Sequence, residues 1–316
     1  MLIAPIAMHI PDGFLSVPVS IVLWVLAIAA VGLSLARVGE EMAERQVPLM
    51  GVMAAAIFAG QMLNFPVAGA SGHLMGAALA TILLGPWAAI LVMTSVVTIQ
   101  AVLFQDGGLL ALGGNLFNMA VVGVAVSYAV FSIARKLAGG RRVGIMSGGF
   151  IAAWVSILVT ALGVGLQIAL SGTARADFTI PAMGGVHALI GIGEGLITVG
   201  ALAFVTATRP DLLKLGEARA AGGRAIAAGG LALALALTVL SPIASANPDG
   251  LEWVAEQQNF SSSAQGPQFS IFEDYVFPGI GSPALATIVA GVLGTLIVFG
   301  VTLAVAHSRK RRQPTA

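Results

Sequence analysis

Four histidines stand in a chain otherwise poor in ionisable side chains: His9, His73, His187 and His307. His307 falls in a basic tail and reads as solvated. The other three fall at the outer ends of apolar runs or in the loops that join them, all on one side of the molecule. A single histidine in such a place is ordinarily an interfacial or hydrogen-bonded side chain. Three on one side also suit a shared metal centre, because neutral imidazole is a common ligand of nickel, cobalt, copper and zinc ions.

The stretch MHIPDG at 8–13 adds a second kind of chemistry. If translation begins at Met8, the free amine, the His9 amide nitrogen and the His9 imidazole can close fused chelate rings in one plane. A fourth nitrogen from His73 would complete a square. Square-planar nitrogen ligation favours Ni(II) or Cu(II), with Co(II) also possible, over tetrahedral zinc and the oxygen-seeking Mg(II) and Ca(II). The preceding MLIAPIA has no basic region, is too short for a secretory signal and would block the amine, so residues 1–7 are expected to be a misassigned extension.

Other residues could serve the same site. Glu194 is the sole acid within an apolar run, and an ionisable group at such a depth is a candidate for function. His187, seven residues before it, shares its helical face and could relay or screen charge. A structural carboxylate bonded to a neighbouring helix fits Glu194 equally well. Asn64 and Ser71 in NFPVAGASGH, with Asn115 and Asn118 in GGNLFNMA, either join helices or line a pocket. The glycine-flanked QDGGLLALGG at 105–114 reads as an outer re-entrant or lid-like loop. A later loop carries Asp249, Glu252, Glu256, Glu273 and Asp274 without a basic residue. It is either simply solvated or draws cations toward the mouth of the protein.

The elements that hold these residues are set by composition. Of 316 residues 58% are apolar and 9% charged, and the mean hydropathy is +0.97, which marks an integral membrane protein. Forty glycines and few aromatics suit helices that approach closely in lipid, where small residues replace hydrophobic burial as the basis of association. No cysteine is present, which removes disulfides, thiolate ligands and a cysteine nucleophile. The sequence has no GxxxxGK[ST], HExxH, GxSxG or SxxK pattern, so nucleotide hydrolysis and the usual hydrolase chemistries are not expected of it. A net charge of +1 says nothing about partners.

Runs long enough to cross a hydrocarbon core of about 30 Å lie near 17–37, 47–63, 87–104, 112–134, 143–170, 182–207, 225–245 and 284–306, and a shorter one at 73–86. If all nine cross, the connections 37–46, 135–142 and 208–224 and the tail 307–316 share one face and hold 14 of the 15 Lys and Arg residues, with only Arg175 opposite. The positive-inside rule then puts the N-terminus outside and the C-terminus inside. The expected fold is an all-α polytopic membrane protein of about nine transmembrane helices. Residues 8–207 form a seven-span unit, 208–224 a basic cytoplasmic linker, and 225–316 a two-span companion unit with an outer loop at 246–283. The span at 225–245, with its basic flank and trailing small residues, looks superficially like a signal peptide. In mid-chain it reads as a helix that once began a separate protein. No repeat of 20 to 50 residues is visible.

The motif MHIPDGFLS, with PVAGASGHLMGAALATILLGPWAAILVMTSVVTIQAVLFQDGGLLALGGNLFNMA and MGGVHALIGIGEGLIT, closely resembles the substrate-binding membrane component of energy-coupling-factor ABC transporters for cobalt and nickel. ANPDGLEWVAE followed by FEDYVFPG resembles the small companion subunit of those systems, known for its PDGLE motif, here fused at the C-terminus. The resemblance implies a divalent ion held by the terminal amine of Met8, the amide and imidazole nitrogens of His9, and His73. It implies transported Co(II) or Ni(II) with no permanently bound cofactor. It also implies a transmembrane coupling subunit and cytoplasmic ABC ATPases as partners in a bacterial or archaeal cell membrane, and no nucleic acid. The companion region is expected to aid metal loading. Two other classes compete: a stand-alone secondary metal carrier working through Glu194, for which a single intramembrane carboxylate is meagre, and a membrane-embedded metalloenzyme, for which no water-activating acid stands near His9 or His73 in the sequence.

Overall fold

A computed structural model of the chain describes residues 8–41, 46–138, 141–209, 212–213, 223–267 and 269–309. The expected extension 1–7, most of the linker, the end of the basic tail, and with them Arg45, Lys214, Arg219, Lys310, Arg311 and Arg312, lie outside the described residues. The apolar runs fold as helices: α1 (Val17–Glu41), α2 (Gln46–Gln61), α3 (Ala77–Leu84), α4 (Pro86–Ile99), α5 (Leu112–Asn115), α6 (Gly123–Leu137), α7 (Arg142–Leu170), α8 (Ala176–Thr208), α9 (Gly223–Leu240), α10 (Gly250–Gln257) and α11 (Pro283–Arg309). Two π-helical turns, Gln100–Phe104 after α4 and Leu116–Val122 between α5 and α6, carry these helices on without a break. Such turns are rare and gather at functional sites.

Seven helical stretches among the described residues are long and apolar enough to cross a membrane. The chain is therefore an all-helical polytopic membrane protein, with one small exception. Strands β1 (Phe65–Val67) and β2 (Ala70–Gly72) pair antiparallel, Phe65 opposite Gly72, across a tight turn at Ala68 and Gly69. Both turn residues have positive φ, as the turn type that matches strand twist demands.

The two expected runs that fall short of that length are α2, at 16 residues, and the segment 73–86. Within the latter only α3 is helical, and its eight residues rise roughly 12 Å, well under a bilayer. Gly76 and Gly85, both at φ +81, bound it, and Pro86 starts α4. All eight of its side chains are buried, so α3 is core rather than lipid-facing wall. By contrast α1 exposes Val17, Ile21, Val22, Val25 and Ile28, the apolar face expected against acyl chains.

Close helix packing uses small residues, as expected in lipid. Gly149 and Gly191 let α7 and α8 meet, with Leu202 against the first and Trp154 with Ile157 against the second. Gly51, Gly230 and Gly294 do the same where α9 and α11 pack on α2, each facing a Phe or Val across the contact. The C-terminal helices are thus fitted onto the first unit rather than tethered beside it.

The fold gathers four connections at one end. Residues 8–16 lie against 105–111: the Gly108 N–H donates to the Ile10 carbonyl at 3.0 Å, and the Asp12 carboxylate accepts from the N–H groups of Leu109 and Ala111 at 3.1 and 2.9 Å. The hairpin lies against the start of the 246–283 loop, with the Ser71 N–H donating to the Pro248 carbonyl at 2.7 Å. Residues 258–265 cover the PDG turn, where the Gln265 N–H donates to the Asp12 carbonyl at 2.8 Å. Gly13 sits under this cover at φ +92, and a β-carbon there would clash with the Ser263 carbonyl oxygen. Gly13→Ala is therefore expected to cost about 2 kcal/mol or more, from the left-handed backbone and the clash together. A lower melting temperature in detergent, with protease cutting between 258 and 267, checks it.

Candidate metal centre

His9 is brought to the site by its neighbours' main chain. Asn115, at the end of α5, accepts the Ile10 N–H at 2.9 Å and donates its own amide to the Ile10 carbonyl at 3.1 Å, pairing with residue 10 as a strand would. His9 itself is buried against Asp106. The Asp106 Oδ1 lies 3.2 Å from the His9 main-chain nitrogen and 3.0 Å from Nδ1, and the Asp106 carbonyl lies 3.3 Å from Nδ1. The other oxygen, Oδ2, accepts the Tyr275 hydroxyl at 2.6 Å, and Gln100 donates to that hydroxyl at 3.1 Å.

His73 follows the hairpin, with its ring centroid 5.8 Å from that of His9 in an edge-on arrangement. Its Nδ1 lies 3.2 Å from the Leu74 carbonyl, and the Nδ1 of His187 on α8 lies 2.8 Å from the Met183 carbonyl. In each neutral imidazole, Nδ1 therefore carries the proton and Nε2 the lone pair, the state in which histidine binds a metal.

The three histidines line a single cavity of about 90 Å³ together with Met8, Ser71, Asn115, Asn118 and Asp249. Small-molecule pockets run to roughly 300–1,000 Å³, so this space suits an ion with few companions rather than a metabolite. Among the described residues no three His, Asp or Glu side chains are drawn together as a finished cage.

Charge follows burial. Burial pushes the His73 imidazole down to about 4, with the neighbouring His9 adding to the effect, so it is neutral at physiological pH. Burial opposes charge on His9 and Asp106 too, but each offsets it for the other: Asp106 holds His9 above its ordinary value, and His9 with the Tyr275 hydroxyl holds Asp106 below the usual carboxylate range. Asp249 caps α10 by accepting the Glu252 N–H at 2.7 Å, yet burial raises its carboxyl to about 8.

Residues 9–212 match the family described as the cobalt uptake substrate-specific transmembrane region, and residues 224–311 match the PDGLE domain. The chain belongs to this family. It is 38% identical to a putative fused nickel transport protein, NikMN, of Archaeoglobus fulgidus, over 94% of this chain and 97% of that one. It is 32% identical to the fused nickel transport protein NikMN of Rhodobacter capsulatus, over 87% and 83% of the two chains. A cobalt transport protein, CbiM, of Sorangium cellulosum is 35% identical over 60% of this chain and 85% of its own. A solved structure described as a truncated transition metal transporter superposes with a TM-score of 0.57 at 30% identity, over 63% of this chain and 98% of that one. This is a family of multi-pass membrane transport proteins, not of enzymes.

Seen in a member of the cobalt uptake family, the expected site residues sort by place. Met8, His9, Ser71, His73, Asn115, Asn118, His187 and Asp249 reach the cavity. The Asn118 amide is tied to Gln167 by reciprocal hydrogen bonds of 2.7 and 2.9 Å, so it joins helices as well as lining the space. Asn64 does not line the cavity; its carbonyl accepts the Ser245 N–H at 2.8 Å. Of the acidic loop residues only Asp249 does so, while Glu252, Glu256, Glu273 and Asp274 lie away from it. Glu194 stands behind the site. Its two oxygens accept the N–H groups of Met75 and Gly76 at 2.8 and 3.0 Å, which anchors the loop carrying His73 from a helix 118 residues on. Asp106 and Tyr275 were not expected. The first lay unremarked in the predicted lid loop, and only its burial reveals it.

Two outcomes follow. Glu194→Gln replaces one of two acceptors with a donor facing a buried N–H, so it is expected to destabilise the protein by about 1–3 kcal/mol, measurable as a lower melting temperature, while metal affinity falls far less than on loss of His73. Asp249 binds a proton more tightly when folded than unfolded, so its contribution is complete at acid pH and is lost as pH rises toward 8. The slope is at most about 1.4 kcal/mol per pH unit, and Asp249→Asn should flatten the melting temperature between about pH 4 and 8.

Proposed function

We propose that this chain is the metal-capture component of an energy-coupling-factor importer for cobalt or nickel ions. The observation that carries this reading is the cavity itself, a small space lined by His9, His73 and His187 in a member of a transition-metal transport family. The relatives described as nickel and cobalt transport proteins support that range of cargo. The ion is taken between His9 and His73, with Met8, His187 and Asp249 on the walls. Imidazole nitrogens suit late first-row ions and reject Mg(II) and Ca(II), which prefer oxygen.

The absence of a nucleotide-binding motif from the sequence leaves ATP hydrolysis to separate subunits, and a transmembrane coupling subunit passes its motion to this chain. An importer loads outside. His73 precedes α3 and Asp106 follows the π turn after α4, yet both meet His9, so α3 and α4 together run inward and return. That return preserves the parity of nine crossings even though α3 is too short to span. With the basic residues on the opposite face, it supports an outer N-terminus and an inner C-terminus. The matched segments support a division into a metal-binding unit at 8–207 and a companion unit at 225–316. Both oxygens of Glu194 are committed to main-chain donors, which leaves a gradient-driven carrier without its carboxylate.

His73→Ala is expected to lower Ni(II) and Co(II) affinity at least about 100-fold, read by competition with a chromophoric chelator. Cells producing this chain alone should accumulate neither ion, and cells that also produce the coupling subunit and ATPases should accumulate one or both. Accumulation by the chain alone in an energised membrane would sink the importer reading.

A further inference from the structure

His187 lines the cavity, yet the ligand set that the family resemblance implies makes no use of it. It stands on α8 one turn before Ile190, and two loops press on that turn. Gly72, beside His73, packs so closely on Ile190 that a β-carbon there would clash with its side chain, and Gly250, beside Asp249, is packed against both Ile190 and the His187 ring. The fit leaves one atom open. Nδ1 of His187 is spent on the Met183 carbonyl at 2.8 Å, so the lone pair is on Nε2. A β-carbon on residue 250 would stand 3.0 Å from that Nε2 and cover it. Gly250 has no positive φ to account for it, so what the glycine provides is this space. His73 likewise holds its Nδ1 proton against the Leu74 carbonyl, and charge on either ring would repel charge on the other, which makes the two near neighbours. Burial then ranks the three histidines. His73 and His187 are half-buried and His9 is only 4% exposed, so an ion arriving from water meets the first two before the third.

We propose that His187 and His73 form an entry station, a transient site in which the two Nε2 lone pairs hold a partly hydrated late first-row divalent ion before it passes to the nitrogens of Met8 and His9. His73 is common to both sites. The transfer is therefore an exchange of ligands around one fixed imidazole: the bonds to His187 Nε2 and to water break as those to the N-terminal segment form. His187 is neutral before and after, and the protons displaced from the N-terminal nitrogens leave to water. Two imidazoles hold an ion less tightly than four nitrogens, as a transit site requires, since the ion must leave it as readily as it arrives. The inference rests on the metal-capture reading and adds to it the route by which the final site is filled, leaving the ligands of that site as the resemblance implies them.

The test is rapid mixing of the full-length protein in detergent with Ni(II) or Co(II), and of the loaded protein with excess chelator. His187→Gln keeps a donor for the Met183 carbonyl and removes the ring, whereas Gly250→Ala keeps the ring and covers its Nε2. In both variants the association rate should fall about 10-fold or more. The dissociation rate should fall by the same factor, because a transit site eases passage in both directions, and the equilibrium affinity should be unchanged. The double variant should be no slower than the slower single one. Association at the wild-type rate in both single variants overturns the station while leaving metal capture intact. Weakened affinity with an unchanged association rate also overturns it, by making His187 a ligand of the final site. A wild-type protein that binds neither ion overturns the station and the capture reading together.

Discussion

The site depends on burying an imidazole and a carboxylate as a pair. Asp106 could not be placed there alone as a carboxylate, since an unpaired charge out of water costs several kcal/mol. Paired, each offsets the desolvation of the other, and the spare carboxylate oxygen is answered by the Tyr275 hydroxyl. Everything near the pair serves to keep residues 8–12 and 105–115 in register. Asn115 grips residue 10 by both main-chain groups, and Asp12 ties two N–H groups of the opposite loop. A main-chain lattice of this kind sets ligand positions more firmly than side-chain packing, because each bond fixes direction as well as distance.

The second unit completes this lattice rather than standing over it. Ser71, two residues before His73, gives its N–H to Pro248 and its hydroxyl to the Asn247 carbonyl at 2.9 Å. Gly250 lies so close to His187 that a β-carbon there would meet Cε1 at 2.8 Å. The PDG turn at 11–13 is covered by residues 263–265, and Asp106 is held by Tyr275. Residues 246–283 thus touch the hairpin, α8, the PDG turn and the 105–111 loop, and Asp249, Gly250 and Leu251 among them line the cavity. Polar groups buried at such a junction are paired, because leaving one unpaired out of water costs free energy.

Much of this was legible in the residues, for identifiable reasons. Long apolar runs have one solution in lipid, so the positions of α1, α4, α7, α8, α9 and α11 followed from length alone. His9, His73 and His187 stood out because imidazole is scarce here, and they do share one cavity. The acidic loop gave a poorer signal. Composition could not separate Asp249, which caps a helix and turns inward, from Glu256, which stays in water. The short segment at 73–86 misled for a related reason: its hydropathy reports burial, and burial in protein reads the same as burial in lipid. Asp106 and Tyr275 were hidden because their importance is relational. An aspartate in a glycine-rich loop and a tyrosine in an acidic one acquire a role only when 169 residues of intervening chain bring them together.

Two carboxylates near the site show how the same group can be given opposite tasks by what surrounds it. Glu194 faces two main-chain N–H donors, so its two oxygens are spent on holding the His73 loop. Asp106 faces a histidine and a tyrosine, and so joins residues 8–16 to the 246–283 loop. Asp106 thus bridges His9 in one unit and a hydroxyl in the other, so a displacement of either partner alters the geometry of both bonds.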